Sequence, residues 1–322
     1  MQYIVLNYPN YLLNEMILPT NCLKFLISHN FGPSMNLNPT KYLFVINPGS
    51  GNQQMRNWNE LITNNLNGSD FEILISKDPG HSKSVIAQYQ DAPNLCIVAV
   101  GGDGTVSALA KTVFSRKASL GIIPTGSGNG LARHLKIPID PAKAIRKLSK
   151  GTAQKIDLVQ VNDQYCCNTC GIGFSAFVTK HFGKAGKRGF STYFKLAFTL
   201  YQSSKNFDIQ INEKIFQNVW SVEIANSSQM GNNAVVSPLA SVSDGLMDIL
   251  IMSKPKFWQI PGLILMVFSK NIMHSKLSSF VRATNAKITL KEDFDYHIDG
   301  DYKGQSNVFD FKVLPSSLTI IF

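Results

Sequence analysis

Three glycine-rich turns, each directly following a short apolar run, constrain the fold of this chain more than any other feature of its sequence. The turns are Asn47–Gly51, Gly101–Thr105 and Pro124–Gly130. Short continuous apolar runs are typical of strands buried in a parallel sheet. In an open α/β sheet, the loops at the carboxyl ends of the strands form the ligand crevice. The turns therefore indicate where a ligand would bind.

Apolar and polar segments alternate through the first half of the chain. Four apolar runs predict parallel strands, at Tyr42–Ile46, Phe71–Ile75, Leu95–Val100 and Leu120–Ile123. The polar segments between them, 53–66, 81–90 and 105–115, are compatible with helices. This alternation predicts an α/β nucleotide-binding domain with a parallel sheet over residues 41–155.

The pattern changes after residue 155, where predicted strands follow one another with few long helices between them. The helical candidates are 175–205 and 257–273. We expect residues 156–304 to form a second domain that is mainly antiparallel β, with the C-terminal strand 305–322 packing back on the first domain. Residues 1–40 are rich in Asn and Leu and interrupted by prolines, and we interpret them as an extension, with Met35 as a candidate native start.

Composition narrows the class of protein. Of the 322 residues, 44% are hydrophobic and 16% are charged, which suits a folded core rather than disorder. The net charge of +10 favours an acidic partner, whether nucleotide, nucleic acid or anionic membrane. No apolar run reaches the roughly 20 residues that span a bilayer, so we expect a cytoplasmic protein. Cys167 and Cys170 could form half of a zinc site, but no second pair completes it, and buried reduced cysteines are the simpler interpretation.

The glycine turns suit a phosphate group. Glycine lets the backbone approach a phosphate closely, and the amides at the start of a following helix attract anions. Neither the Walker A loop nor the spacing of the Rossmann fingerprint is present. Asp103, between two glycines, could hold Mg²⁺ or its waters beside a triphosphate. Thr105 could cap the following helix or bind a phosphate oxygen.

The pentad Gly101–Thr105 resembles a superfamily that includes the diacylglycerol kinases, sphingosine kinases, NAD kinases and phosphofructokinases. The segment Leu120–Arg133 resembles the second nucleotide loop of the diacylglycerol kinase catalytic domain. Asn226–Asn233 and Ser241–Asp248 resemble the second domain of the bacterial soluble lipid kinases. On these motifs, which cover roughly residues 41–322, the chain is identified as a member of the diacylglycerol kinase catalytic-domain family.

The resemblance implies an ATP- and Mg²⁺-dependent lipid kinase of two domains with the active site in the cleft between them. The acceptor would be the hydroxyl of diacylglycerol or a related lipid. It implies an ATP site lined by Asn47, Pro48, Gly49, Ser50, Gly51, Ser76, Gly101, Gly102, Asp103, Gly104, Thr105, Gly126, Ser127 and Asn129. It also implies a structural Mg²⁺ in the second domain, held by Ser241, Asp244 and Leu246.

The general base is predicted at Asp301. The segment His297–Asp301 resembles the family's late Asp-Gly-Glu motif, in which the glutamate takes the proton of the acceptor hydroxyl. An aspartate stands at that position here, with a side chain one methylene shorter. From the residues alone, Asp299-Gly300 reads as a hairpin turn with exposed acids. A second departure is Ser175, where related enzymes usually carry aspartate.

Residues 164–207 contain no acid and interleave basic residues with aromatic ones. This composition suits peripheral contact with an anionic membrane, although a solvated basic helix with core aromatics would look the same. The cations are Lys180, Lys184, Lys187, Arg188, Lys195 and Lys205. No RNA- or DNA-binding module is recognisable, so we expect no nucleic-acid partner.

Several alternatives stay open at the level of sequence. Residues 127–132 also resemble the sphingoid-base kinases, while the absence of an acid at Ser175 weakens that reading. NAD kinase is a more distant enzyme hypothesis. A nucleotide- or lipid-binding regulator with weak catalysis is a hypothesis of another class, which Asp301 and Ser175 would suit. The sequence does not decide the oligomeric state, a dimer included.

Overall fold

A computed structural model describes residues 3–5, 39–50, 57–183 and 189–322. Several predictions lie outside the described residues: Gly51, most of the extension 1–40, the start of the predicted helix 53–66, and Lys184, Lys187 and Arg188. Within the extension, strand β1 (Tyr3–Val5) is described, and it pairs in parallel with a strand of the second domain, Ser278–Ala283.

The N-terminal half begins with four strands that pair in parallel in the order β3-β2-β4-β5. They are β2 (Lys41–Ile46), β3 (Asp70–Ile75), β4 (Leu95–Gly101) and β5 (Ser119–Pro124). Every residue of β4 and β5 is buried, as the continuous apolar runs predict. The helices between them are α1 (Trp58–Thr63), α2 (Pro79–Ile86) and α3 (Asp103–Val113).

Two further helices follow β5, and sequence analysis missed both. They are α4 (Gly130–His134) and α5 (Pro141–Lys150). Helix α5 begins where the Asp140 side chain accepts a hydrogen bond from the Lys143 amide at 2.9 Å and proline occupies its first position. Both features are ordinary helix-start signals.

The second half is built from longer strands. They are β6 (Ala153–Val161), β7 (Gln164–Cys166), β8 (Thr169–Gly173), β9 (Phe207–Ile211), β10 (Lys214–Ala225), β13 (Met247–Ser253), β14 (Ser278–Ala283), β15 (Asn285–Ile298) and β16 (Asp301–Ile321). The neighbours β14-β13-β10-β8-β15-β16 are all antiparallel. Strands β11 (Gln229–Gly231) and β12 (Ala234–Val235) form a separate pair.

Strand β16 joins the two halves into one mixed sheet of fourteen described strands. Its first part pairs with β15, its later part pairs with β6, and Ile320 and Ile321 pair in parallel with β5. The strand spans 21 residues, far longer than the run Leu318–Ile321 that marks it in the sequence. The parallel and antiparallel halves therefore share one hydrogen-bonded sheet, without a break between β5 and β16.

Three helices cover the second half: α6 (Phe174–Phe182), α7 (Phe190–Leu200) and α8 (Ile260–Phe268). The predicted helix 175–205 is thus two helices. The predicted helix 257–273 is a 3-10 turn at Phe257–Gln259, helix α8 and a second 3-10 turn at Ile272–His274. In the described ranges, each helix is too short or too polar to cross a bilayer.

Candidate active site

The loop after β4 places Asp103 at the first position of α3. Gly102 caps the helix without a side chain, and its carbonyl accepts from the Thr105 and Val106 amides at 3.0 and 3.1 Å. The Thr105 side chain fills the space that a Cβ on Gly101 would occupy. A helix of eleven residues therefore opens at this loop with its first amides towards the sheet edge, which favours an anion there.

Asp103 ties this loop to the loop after β5. Its Oδ2 accepts from the Asn129 amide at 2.8 Å, and its Oδ1 accepts from the Gly130 amide at 2.6 Å. Burial raises the pKa of Asp103, the two amide hydrogen bonds oppose that rise, and the Asp299 charge adds to it. A carboxylate oxygen has two lone pairs, so each Asp103 oxygen retains one for a cation or a water.

Glycine is required where these two loops meet. A Cβ on Gly126 would lie 2.5 Å from the Gly102 Cα, which is closer than carbon atoms can approach. Asn129, in the left-handed conformation at φ +53°, closes the second loop by bonding Gly126 through both side-chain atoms, at 3.1 and 2.7 Å. The backbones of the two loops therefore pack directly on one another.

The loop after β2 completes this edge. The Asn47 side chain donates from Nδ2 to Thr105 Oγ1 at 3.0 Å and accepts at Oδ1 from the Gly49 backbone amide at 2.9 Å. Thr125 Oγ1 donates to Ser50 Oγ at 3.3 Å. The three glycine turns thus form one connected surface. Pro48, Gly104 and Ser127 are at least partly exposed on these loops.

Ser76 has a different role from the loop residues. It lies at the same end of the sheet, just after β3, and its amide bonds the Ile46 carbonyl at 2.8 Å. Its hydroxyl bonds Ser82 Oγ at 2.7 Å and the Asp78 carbonyl at 3.1 Å. Ser76 therefore holds α2 against the sheet edge.

Asp301 comes to this edge from the second half of the chain. The pair Asp299-Gly300 forms a two-residue hairpin turn with both φ angles positive, +52° and +80°, which is the geometry that favours this dipeptide. The exposed Asp301 carboxylate follows the turn, and a Cβ on Gly104 would lie 3.7 Å from its Oδ1. Its Oδ2 is 3.7 Å from Lys303 Nζ. The structure therefore places Asp301 opposite the first turn of α3.

The expectation that both acids of this hairpin are exposed is wrong for Asp299. Its carboxylate is buried and accepts from Ser107 Oγ at 2.6 Å, from the Asn168 amide at 2.8 Å and from the Cys167 amide at 3.2 Å. Ser107 belongs to α3, so Asp299 fixes the hairpin to the helix that begins at Asp103. Sequence analysis missed this role, since an Asp-Gly pair carries no signal for burial.

The segment 226–233, which belongs to the second half of the chain, contacts the loop that follows β5. Arg133 Nε donates to the Gly128 carbonyl at 3.0 Å, its guanidinium donates to Asn233 Oδ1 at 3.2 Å, and the Asn232 amide also donates to Gly128 at 2.8 Å. His134 is buried, and its Nδ1 accepts from the Ser228 amide at 3.1 Å. These bonds hold the second loop from both sides.

The predicted Mg²⁺ ligands Ser241, Asp244 and Leu246 lie in one turn, but Asp244 already has a cationic partner. Its Oδ2 accepts from Arg282 at 3.1 Å, and its Oδ1 accepts from the Leu246 amide at 3.1 Å. Arg282 also bonds Asp248 at 2.6 Å. Burial raises the pKa of Asp244 to about 6 although Arg282 opposes that rise. Asp248 and Asp157 add negative charge beside this turn, so a single arginine does not balance its acids, and the Mg²⁺ site stays a prediction.

A buried polar cluster lies beside Ser175, and sequence analysis missed it. Glu223, Gly171 and His297 are neighbours across three adjacent strands, and the glycine leaves room for Glu223 Oε2 and His297 Nε2 to lie 3.7 Å apart. Burial raises the pKa of Glu223 to about 8 and lowers the pKa of His297 to about 4. Burial therefore favours the neutral form of both side chains.

The four cysteines in the described ranges are buried in the core. Cys96, Cys166, Cys167 and Cys170 are free and buried, and burial raises the pKa of the thiols at 166, 167 and 170 well above the usual range. No group of three metal-binding side chains occurs in the ranges that the structure covers.

Comparison with known proteins agrees with this architecture. Residues 41–161 match the family model of the diacylglycerol kinase catalytic domain, and residues 173–322 match that of the YegS C-terminal NAD kinase beta sandwich-like domain. A protein of Yersinia enterocolitica named "Probable lipid kinase YegS-like" is 28% identical over 298 residues, covering 87% of this chain and 96% of that protein. The "Diacylglycerol kinase" of Bacillus subtilis is 28% identical over 218 residues, covering 65% of this chain and 71% of that protein.

A solved structure shares the fold. The crystal structure of a diacylglycerol kinase from Bacillus anthracis superposes with a TM-score of 0.64 at 19% identity, covering 88% of this chain and 97% of that chain. This similarity extends to the two-domain arrangement with an antiparallel second domain.

Proposed function

The chain belongs to the diacylglycerol kinase catalytic-domain family, and from this premise we propose that it transfers the γ-phosphoryl group of ATP to a hydroxyl group of a membrane lipid. The observation that carries the proposal is the position of Asp301 opposite the Asp103 loop. A phosphate-binding edge and an exposed carboxylate face each other, as in-line transfer to a hydroxyl requires.

In the proposed reaction, backbone amides at the Asp103 loop and the first turn of α3 hold the phosphates. Asp301 accepts the proton of the lipid hydroxyl as its oxygen forms a bond to the γ-phosphorus. The bond between that phosphorus and the bridging oxygen breaks, and ADP leaves with the electron pair. Asp299, bonded to Ser107, keeps the hairpin at a fixed distance from the helix.

Mg²⁺ would be held at Asp103, through the lone pairs that its two amide hydrogen bonds leave, or through bound waters. When bound, the ion supplies positive charge that offsets the charge developing on the transferred group. The same carboxylate links two loops, so a change at Asp103 affects loop geometry as well as metal binding.

The acceptor we favour is a neutral lipid alcohol such as diacylglycerol. A sphingoid base carries an ammonium group, for which an ionised acid would be the natural partner. The acid beside Ser175 is Glu223, and its carboxyl is buried. The Ser175 hydroxyl itself carries no charge to pair with an ammonium group, which supports a neutral acceptor.

Labelled-ATP transfer to a panel of lipids in mixed micelles tests the proposal. We expect labelled product with diacylglycerol and little with sphingosine. Transfer to sphingosine alone would favour the sphingoid-base reading. ATP binding with no transfer to any lipid would favour a regulator that has lost catalysis.

A further inference from the structure

Four large exposed apolar side chains of the second domain lie on α7, on α8 and on the 3-10 turn that precedes α8. They are Trp258 (74% exposed), Leu265 (68%), Phe257 (58%) and Phe198 (56%). Side chains of this size are usually buried, and a contiguous exposed group of them indicates an interaction surface. We call these four residues the apolar docking surface.

Helix α8 is the main element of this surface. Its sequence, Ile260–Phe268, is wholly apolar, yet none of its residues is fully buried. Leu263 and Val267 pack against the small core cluster that contains Leu250 and Phe280, while Leu265 is turned outward. Leu263 and Val267 thus anchor the helix to the sheet, and Leu265 is exposed on another side.

Contacts between α7 and the segment before α8 make the surface continuous. The Phe198 and Phe257 rings lie 5.8 Å apart between centroids. The Tyr201 hydroxyl donates to the Pro255 carbonyl, and Lys254 Nζ donates to the Ser204 carbonyl at 2.7 Å. These contacts join the end of α7 to the segment before α8, and they place the Phe198 and Phe257 rings at one side of the domain.

Charge determines which partner fits. The segments 164–207 and 249–291, which supply α7 and α8, contain no aspartate or glutamate. Lys256 lies over the Trp258 ring at 5.3 Å, and the exposed Lys195 and Lys270 belong to the same two segments. A surface with exposed tryptophan, aliphatic side chains and cations, and with no local acid, matches the interface of an anionic bilayer.

The aromatic residues of segment 164–207 differ in their surroundings, although composition alone treats them as one group. Phe174 stacks on Trp220 at 3.9 Å, and Phe182 packs edge-on against Tyr193. These rings are at least partly covered by one another, so among the described residues of 164–207 the exposed ring of Phe198 on α7 is the one that joins the apolar docking surface. The 3-10 turn before α8 and helix α8 itself, which has no basic residue, supply the rest.

We propose that the apolar docking surface inserts into the headgroup region of an anionic bilayer and so brings the cleft to its lipid substrate. The inference rests on the proposed function for its purpose, but its geometry is independent of catalysis. A kinase whose substrate stays in the membrane must reach it from the aqueous side, and a shallow apolar surface allows this without a spanning helix.

Vesicle flotation tests the proposal with the full chain. The double variant Trp258→Ser/Leu265→Ser is compared with the wild type and with Ile215→Ser, which removes an equally exposed apolar side chain (64%) from strand β10. On vesicles of phosphatidylcholine and phosphatidylglycerol, the double variant should bind roughly 10- to 100-fold more weakly, and the control should bind like the wild type. Phosphatidylcholine alone should bind the wild type severalfold more weakly.

Equal binding by the double variant and the wild type would overturn the proposal, and so would equal losses in the double variant and the control. Sedimentation of the wild type as a dimer that the double variant dissociates would also overturn it, in favour of a second copy of this chain as the occupant. Transfer to a water-dispersed short-chain diacylglycerol separates the two proposals. Failure of docking leaves that transfer intact, whereas failure of the proposed function abolishes it in every variant.

Discussion

The two sides of the cleft hold their carboxylates in opposite ways. Asp103 is bonded by two backbone amides and packed among three interlocked loops. Asp301 is exposed, and its nearest cation, Lys303, is 3.7 Å away. The Asp103 side is therefore held by bonds within the protein, while the Asp301 side has space around its acid. Under the proposed function, this difference predicts that ATP meets a preformed site and that the lipid completes the other half.

The largest expected effect is on the turnover number and comes from a change at Asp301. Replacing Asp301 by Asn removes the proton acceptor and keeps the size of the side chain. The turnover number should fall by roughly 10²- to 10⁴-fold, measured with labelled ATP and diacylglycerol micelles. Asp310→Asn, a change of the same type further along β16, serves as the control and should leave turnover near that of the wild type.

A change where the loops after β4 and β5 pack together should lower ATP affinity rather than the rate of phosphoryl transfer. In Gly126→Ala the new methyl would lie 2.5 Å from the Gly102 Cα, so the two loops must separate. ATP affinity should fall by about tenfold or more, measured by calorimetry. Gly183→Ala, where the nearest atoms lie 3.6 Å away, should bind ATP normally. Unchanged affinity in Gly126→Ala would mean that the loops are not rigid.

A third experiment asks whether charge balance at the predicted metal turn comes from Arg282. Arg282→Met leaves Asp244 and Asp248 without their cation and should lower the free energy of unfolding by about 1–3 kcal/mol. Mg²⁺ should restore part of that loss. Thermal unfolding of the wild type should not respond to EDTA. A fall in its melting temperature with EDTA would instead support a structural Mg²⁺ held by Ser241, Asp244 and Leu246.

The smallest expected effect is on stability and comes from the buried cluster that contains Glu223 and His297. Because burial raises the pKa of Glu223 from its ordinary value to about 8, the folded state keeps a proton that the unfolded state releases. This group's contribution to stability is therefore lost as pH rises from about 4.5 to 8. Glu223→Gln should be on the order of 1–3 kcal/mol more stable than the wild type at pH 8, with no gain near pH 5. Urea unfolding at both pH values measures the difference, and a gain that does not change with pH would contradict it.

The nucleotide side could be predicted from the sequence because its determinants are local. Each of its loops follows a short buried strand, and the glycines that allow close packing stand within a few residues of Asp103. The long-range features could not be predicted in the same way. Glu223, Gly171 and His297 become neighbours only through the pairing of three strands, and no local pattern reports that pairing.

Asp299 and Asp301 illustrate the same limit on a smaller scale. The Asp-Gly pair correctly indicates a hairpin turn, since both residues adopt positive φ. Which acid is buried depends on Ser107, a residue of a helix in the other domain. Helix α5 is a different case, because its start is marked locally. Asp140 and Pro141 are ordinary helix-start signals, so this helix could be predicted from the sequence.

The claim that the nucleotide side is preformed is tested most directly by the ATP dissociation constant, measured by calorimetry without lipid. The wild type and Asp301→Asn should bind ATP with the same affinity, while Gly126→Ala binds it at least about tenfold more weakly. Loss of ATP binding in Asp301→Asn to the same extent as in Gly126→Ala would contradict the account. Asp301 would then belong to the nucleotide site, and the separation of the two sides would be wrong.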